Sequence, residues 1–108
     1  MKVAVASKDG ISINLHFGHA KNFIIYDITD GQLQQIDNRE VDHYCHGQHG
    51  DQSAMQKILH TIKDCQAVFV AKVGDGPAEK LANIGVTAVD NYAYEAVEES
   101  LIDYWHKQ

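Results

Sequence analysis

Apolar positions fall into short runs divided by polar breaks, and the period of each run predicts its element. Lys2-Val3-Ala4-Val5-Ala6-Ser7 is a continuous apolar run that stops at Asp9-Gly10, the pattern of a short buried strand. Phe23-Ile24-Ile25-Tyr26-Asp27-Ile28 is β-branched and aromatic, which predicts a strand covered on both faces. Asp30-Gly31 marks a hairpin turn, since glycine accepts the positive φ such turns demand. Leu33 to Val41 reads as the return strand, polar enough for a sheet edge. A helix is expected from about Asp51-Gln52-Ser53, whose side chains can cap its first amides. Met55, Ile58, Leu59 and Ile62 form its apolar stripe. Ala67 to Ala71 is another buried strand. Val73-Gly74-Asp75-Gly76-Pro77 then turns sharply into a helix, with Pro77 suited to its first position, and the helix stops at Gly85. Val86 to Val89 is a short strand. Asp90 or Asn91 is expected to cap a last helix that carries Tyr94, Val97, Leu101 and Trp105 on one face. Its acids Glu95, Glu98 and Glu99 come early and His106-Lys107 late, as the helix dipole prefers.

The predicted order is β-β-β-α-β-α-β-α. Early hairpins give an antiparallel portion, and the later crossovers give parallel pairs with helices on the faces. The expectation is an α/β fold with a mixed five-stranded sheet flanked by helices. The initial hairpin suggests a ribonuclease-H-like arrangement in a single domain spanning 1–108.

Composition narrows the function classes. The chain of 108 residues is 44% apolar with one proline, which fits one packed core. A net charge of −6 argues against broad nucleic-acid binding, although Lys2, Lys8, Lys21, Arg39 and Lys72 leave room for a local basic patch. No apolar run approaches the ~20 residues that span a bilayer, and the start does not resemble a signal peptide. A soluble, cytoplasmic protein is expected. The two cysteines, Cys45 and Cys65, stand in unlike contexts, and no disulfide between them is expected.

Two stretches hold the candidate chemistry. His16-Phe17-Gly18-His19-Ala20 follows the first strand, and His43-Tyr44-Cys45-His46 with His49 lies downstream. Together they contain five of the seven histidines. His16 and His19 face one way if the segment turns and diverge if it is extended; Gly18 permits the turn. Cys45 as thiolate is a ligand for iron or zinc, and neighbouring imidazoles favour its ionisation. His16, His19, His43, Cys45, His46 and His49 are therefore the candidate metal ligands. The bland alternatives are a histidine that packs or caps, and a solvated polar loop over 42–51, which is expected to be mobile without cargo. No C-x-x-C supports a closed zinc finger.

Enzyme readings find less support. Asp9 and Asp27 lie near the first two strands, yet no set of four acids at strand ends is present for a two-metal nuclease. Asp64, Asp75 and Asp90 read as helix-end and turn residues, and Val73-Gly74-Asp75-Gly76 as a simple turn instead of a phosphate loop. A Cys45/His hydrolase lacks an evident oxyanion hole or third orienting residue.

Val3-Ala4-Val5-Ala6-Ser7, Asn14-Leu15-His16-Phe17-Gly18-His19-Ala20, Phe23-Ile24-Ile25-Tyr26-Asp27 and Tyr44-Cys45 resemble the nitrogenase iron-molybdenum cofactor biosynthesis family. This is the NifX-like type, which also forms the C-terminal domain of NifB. The resemblance implies a ribonuclease-H-like fold without nuclease activity and a non-enzymatic carrier of an iron-sulfur cluster or FeMo-cofactor precursor in nitrogen fixation. The cargo would pass transiently between donor and acceptor cluster-assembly proteins, with no nucleic-acid or membrane partner. By position, His16, His19 and Cys45 are the implied cargo-binding residues. The chain lacks the cysteine-rich radical-SAM domain of full-length NifB, so cluster construction is not expected of it. Cys45 is followed by His46-Gly47, where relatives often have glycine directly. The rival expectation is a metal-free regulatory or interaction module of the same fold.

Overall fold

The computed structural model describes residues 1–41 and 51–108, with the backbone alone for 51–55. Five strands form one sheet: β1 (Lys2–Val5), β2 (Asn22–Thr29), β3 (Gln32–Glu40), β4 (Ala67–Phe69) and β5 (Thr87–Val89). Three helices accompany them: α1 (Asp51–Ile62), α2 (Asp75–Asn83) and α3 (Val97–His106). The spatial order is β3-β2-β1-β4-β5. β2 lies antiparallel to both β1 and β3, while β4 is parallel to β1 and to β5. The expected element order, the mixed pairing and the edge position of the return strand are all present.

Side-chain alternation divides the core into two layers. Ala4, Ala6, Phe23, Ile25, Val68 and Val70 face one way and bury against Ile58 and Ile62 of α1 and Leu81 of α2. Val3, Val5, Ile24, Tyr26, Ile28, Ala67 and Phe69 face the other way against Val97 and Leu101 of α3. Period-two strands sandwiched between helices require apolar residues at both parities, which is why β1, β2 and β4 read as near-continuous apolar runs. Met55 belongs to the expected α1 stripe, but its side chain lies outside the described residues; Ile58 and Ile62 are buried as expected.

The β2–β3 turn has Asp30 at φ 53 and Gly31 at φ 77, the doubly left-handed pair of a type I′ hairpin. β3 carries a register shift opposite Ile25 and Tyr26, which pair with Asp37 and Gln35 and leave Ile36 as an extra residue. A bulge and a run of polar residues at an outer strand both discourage edge-to-edge association.

Two expectations need correction. The last helix begins at Val97, well after Asp90 and Asn91, and Tyr94 is no part of its apolar face. Residues 94–97 instead pair with the loop after β1. The Tyr94 N–H donates to the Ile13 carbonyl (2.7 Å), the Ile13 N–H to the Glu95 carbonyl (3.0 Å) and the Val97 N–H to the Ile11 carbonyl (2.8 Å). This bridge holds Tyr94 at φ 65, a value no helix accommodates, and leaves its ring exposed. Pro77 occupies the third position of α2 instead of the first. It is tolerated there because the first intrahelical bond is made by the next residue, from the Ala78 N–H to the Gly74 carbonyl (3.0 Å).

Candidate functional site

The parallel strands β1 and β4 end at the same edge of the sheet, and the histidine stretch crosses that edge. Leu15 bridges the two strand ends: its N–H donates to the Ala6 carbonyl (3.3 Å) and its carbonyl accepts from the Ala71 N–H (2.8 Å). His16 then pairs with Lys72 in a short parallel bridge, and the Phe17 N–H donates to the Lys72 carbonyl (2.9 Å). Phe17–His19 closes as a single 3-10 turn, with the His19 N–H on the His16 carbonyl (3.0 Å). Phe17 is the anchor. It is 2% exposed, packs in the layer under α1 and α2, and stacks at a tilt on Phe23 with ring centroids 6.2 Å apart. Driving Phe17 inward turns both flanking histidines outward, His16 half-buried and His19 exposed. The segment therefore takes the turned alternative, with both rings on one side. Gly18 is not in the left-handed region, and a Cβ there would meet no described atom within 4 Å, so the turn does not require glycine.

The imidazoles of His16 and His19 lie 5.5 Å apart, centroid to centroid, and within 9° of parallel. The lone pairs of an imidazole lie in its ring plane. Two stacked, near-parallel rings thus address adjacent points instead of converging on one atom. That arrangement suits two neighbouring atoms of a larger group, and chelation of a single ion requires one ring to rotate. Among the described residues no three His, Cys, Asp or Glu side chains come together as a metal site. The rings line a cavity of about 310 Å³ with Phe17, Gly18, Lys72, Val73, Gly74 and Pro77. Its position at the carboxyl ends of parallel strands is where open α/β sheets place their ligands.

The remaining candidate ligands, His43, Cys45, His46 and His49, lie outside the described residues, as does the expected mobile loop except for Asp51, which opens α1. The structure does fix where that segment leaves. Glu40 pairs with Asn22, so β3 ends at the same sheet edge as the histidines, and the Val41 N–H donates to the Lys21 carbonyl (2.8 Å). Lys21 is two residues from His19, and Cys45 is four residues beyond Val41. Four residues of extended chain reach at most ~14 Å.

Sequence reasoning did not single out the positive charge at the site. Lys72 lines the cavity, whereas Lys2, Lys8, Lys21 and Arg39, named with it as a local basic patch, do not. Arg39 is committed elsewhere. Its guanidinium donates to Asp64 (2.6 and 3.0 Å), to Asp37 (2.9 Å) and to the Thr61 carbonyl (2.9 Å). The signal for Lys72 is topological, because it follows a parallel strand directly.

Cys65 is a poor ligand. It is a free thiol, 3% exposed, and burial, seconded by the neighbouring Asp64 carboxylate, pushes its pKa up to about 11. Almost no thiolate is available near neutral pH. A Cys45→Ala variant should accordingly resist a thiol reagent such as Ellman's until it is unfolded in guanidinium, when one thiol per chain becomes reactive. Rapid labelling of the native variant would show Cys65 to be accessible.

The family model described as "Dinitrogenase iron-molybdenum cofactor" matches residues 1–107. The FeMo cofactor biosynthesis protein NifB of Herbaspirillum seropedicae is 41% identical over 103 residues, 95% of this chain and 20% of the relative. NifB of Azotobacter vinelandii is 35% identical over 103 residues, 93% of this chain and 20% of the relative. The chain spans about a fifth of the length of these curated relatives. Among solved structures, PH0822 superposes with a TM-score of 0.68 at 20% identity, covering 96% of this chain and 92% of that one. A crystal structure from Methanocaldococcus jannaschii, provisionally named a dinitrogenase, superposes with a TM-score of 0.58 at 17% identity, covering 99% and 88%. At those identities the superpositions speak to the fold, and the sequence match speaks to the family: the chain belongs to the dinitrogenase iron-molybdenum cofactor family.

Proposed function

We propose that this domain is a non-enzymatic carrier of an iron-sulfur cluster or FeMo-cofactor precursor, a single NifX-like unit of ribonuclease-H-like type. Cys45, His16 and His19 hold the cargo, with His43, His46 and His49 as further ligands on the same segment. The observation that carries the reading is the paired outward imidazoles beside a cavity at the sheet edge from which the Cys45 segment departs. Kinship with named FeMo cofactor biosynthesis proteins supports the cargo class. Side-by-side imidazoles suit a multinuclear cargo, and few protein ligands suit a carrier, because cargo must leave as well as bind. Donor and acceptor are cluster-assembly proteins in the cytoplasm. No described helix is long and apolar enough to cross a membrane.

Anaerobic titration with an isolated cluster precursor should load about one cluster per chain. Cys45→Ala or the His16→Ala/His19→Ala pair should weaken loading at least about tenfold, the loss that even supporting groups cause at metal sites. Unchanged loading in both variants would remove the site assignment. The rival is a metal-free interaction module of the same fold. That reading predicts no loading by the wild type and a protein complex that survives chelation.

A further inference from the structure

We propose that the histidine cavity is an anion-selective site in which Lys72 reads the negative charge of the bound group. The inference rests on the carrier reading for its physiological cargo, but its physical basis is separate. The chain is acidic overall, with net charge −6. Its charge is unevenly placed around the concave surfaces. A cavity of about 840 Å³ between the hairpin and α3 is lined by Glu98, Glu99 and Asp103. Another of about 360 Å³ is lined by Asp27 and Asp30. Among the described residues the histidine cavity has no carboxylate in its lining; its ionisable side chains there are His16, His19 and Lys72.

Lys72 differs from the cations tied up elsewhere in the fold. Lys2 is paired with Asp64, Arg39 with Asp37 and Asp64, and Lys107 with Asp103. Lys72 is exposed and has no ion pair among the described residues, while its own backbone is fixed by the His16 bridge and the Phe17 hydrogen bond. Its ammonium is thus a charge on a fixed base, free to meet a ligand. Gly74, the residue that precedes α2, completes the wall and brings the positive end of a nine-residue helix toward the same space. Each neutral imidazole can present an N–H donor to the cavity, and the Lys72 ammonium adds three donors and a full positive charge. The chemical class that fits is a compact anion of more than one charge, such as a thiolate-ligated iron-sulfur cluster. Neutral or cationic groups of the same size are disfavoured.

Two probes separate this proposal from the carrier reading. Tripolyphosphate, a metal-free polyanion, is titrated into isotopically labelled protein and followed by NMR. The synthetic tetrathiolate [4Fe–4S] dianion is titrated anaerobically over a series of salt concentrations. In the wild type, tripolyphosphate should shift the imidazole signals of His16 and His19 and the amide of Gly74. Lys72→Ala should weaken both probes about tenfold and lower the salt dependence of cluster affinity, while Lys72→Arg restores both. Fold integrity is checked by the dispersed amide spectrum of each variant. Tripolyphosphate binding without cluster binding would support the anion site and overturn the carrier reading. Cluster binding with the same affinity and salt slope in Lys72→Ala would overturn the anion site and leave the carrier reading standing. Tripolyphosphate shifts centred away from His16 and His19 would also overturn it.

Discussion

Phe17→Ala should lower the stability of the domain by about 3–5 kcal/mol, the range for deleting a buried aromatic ring. Phe17 is 2% exposed and fills the layer between the sheet and helices α1 and α2, in contact with Phe23. The loss combines the transfer of the ring with the cavity it leaves under a short 3-10 turn. Among the described residues the turn is tied by backbone bonds to Lys72 and His16, and the Phe17 ring anchors it from beneath. Release of the turn should also scatter the two histidines and abolish cargo loading. Phe17→Leu separates the two effects: it keeps an apolar anchor, should cost about 1–2 kcal/mol, and should retain most loading. Denaturant unfolding followed at Trp105, the sole tryptophan, measures both variants. A Phe17→Ala protein of wild-type stability would show that the ring is not the anchor.

Arg39→Ala should cost about 1–2 kcal/mol, the discounted range for a partly exposed ion-pair network with one carbonyl contact. Arg39 joins the edge strand β3 to the end of α1 through a two-pronged contact with Asp64, at 2.6 and 3.0 Å, and through the Thr61 carbonyl. Lys2 adds a third donor to Asp64, at 3.0 Å. Hydrogen bonds from Arg39 first, then Lys2, hold the Asp64 carboxyl well below the usual carboxylate range. A depressed folded pKa means that the contribution is present above the unfolded value, about pH 4, and is lost as pH falls through the folded one. The wild type should therefore lose stability below about pH 4, and Arg39→Ala should show a shallower loss over that acid range. Urea midpoints measured at neutral and acid pH decide this. Parallel pH profiles would mean that Asp64 is not coupled to Arg39 in solution.

Much of the sheet was legible because its strands are covered on both faces. The central positions of β1, β2 and β4 are apolar on both faces, and such runs are hard to mistake. The Asp30-Gly31 turn was legible for a similarly local reason, since few residue pairs accept two positive φ values. The start of α3 was not. Asp90 and Asn91 are good caps in isolation, but Tyr94 and Val97 are held by backbone bonds to Ile13 and Ile11, some eighty residues earlier. No local signal reports such a pairing. The polar Asp9 carries a related lesson. It accepts from the amides of Ile11 and Ser12 at 2.9 and 3.2 Å and so shapes the loop after β1.

The candidate site was half legible. His16 and His19 stood out by residue type, and their common direction follows from an apolar residue, Phe17, placed between them. Lys72 was weighed only as surface charge, because nothing in Ala71-Lys72-Val73 distinguishes it until β4 is known to run parallel to β1. Arg39 looked equally available and is instead consumed by Asp37 and Asp64. Charge in a sequence does not say which carboxylate will claim it.

The central claim is that the cargo binds at the carboxyl edge of the sheet, between the histidine turn and the segment that leaves at Val41. The most direct measurement is the paramagnetic broadening of amide NMR signals on anaerobic loading with a paramagnetic iron-sulfur precursor. The account predicts broadening centred on Phe17, Gly18, His19, Lys72 and Gly74, with Gly31 at the opposite hairpin and the α3 signals of Trp105 and His106 left sharp. Broadening centred on the hairpin or α3, or a loaded protein in which the histidine turn stays sharp, would contradict it.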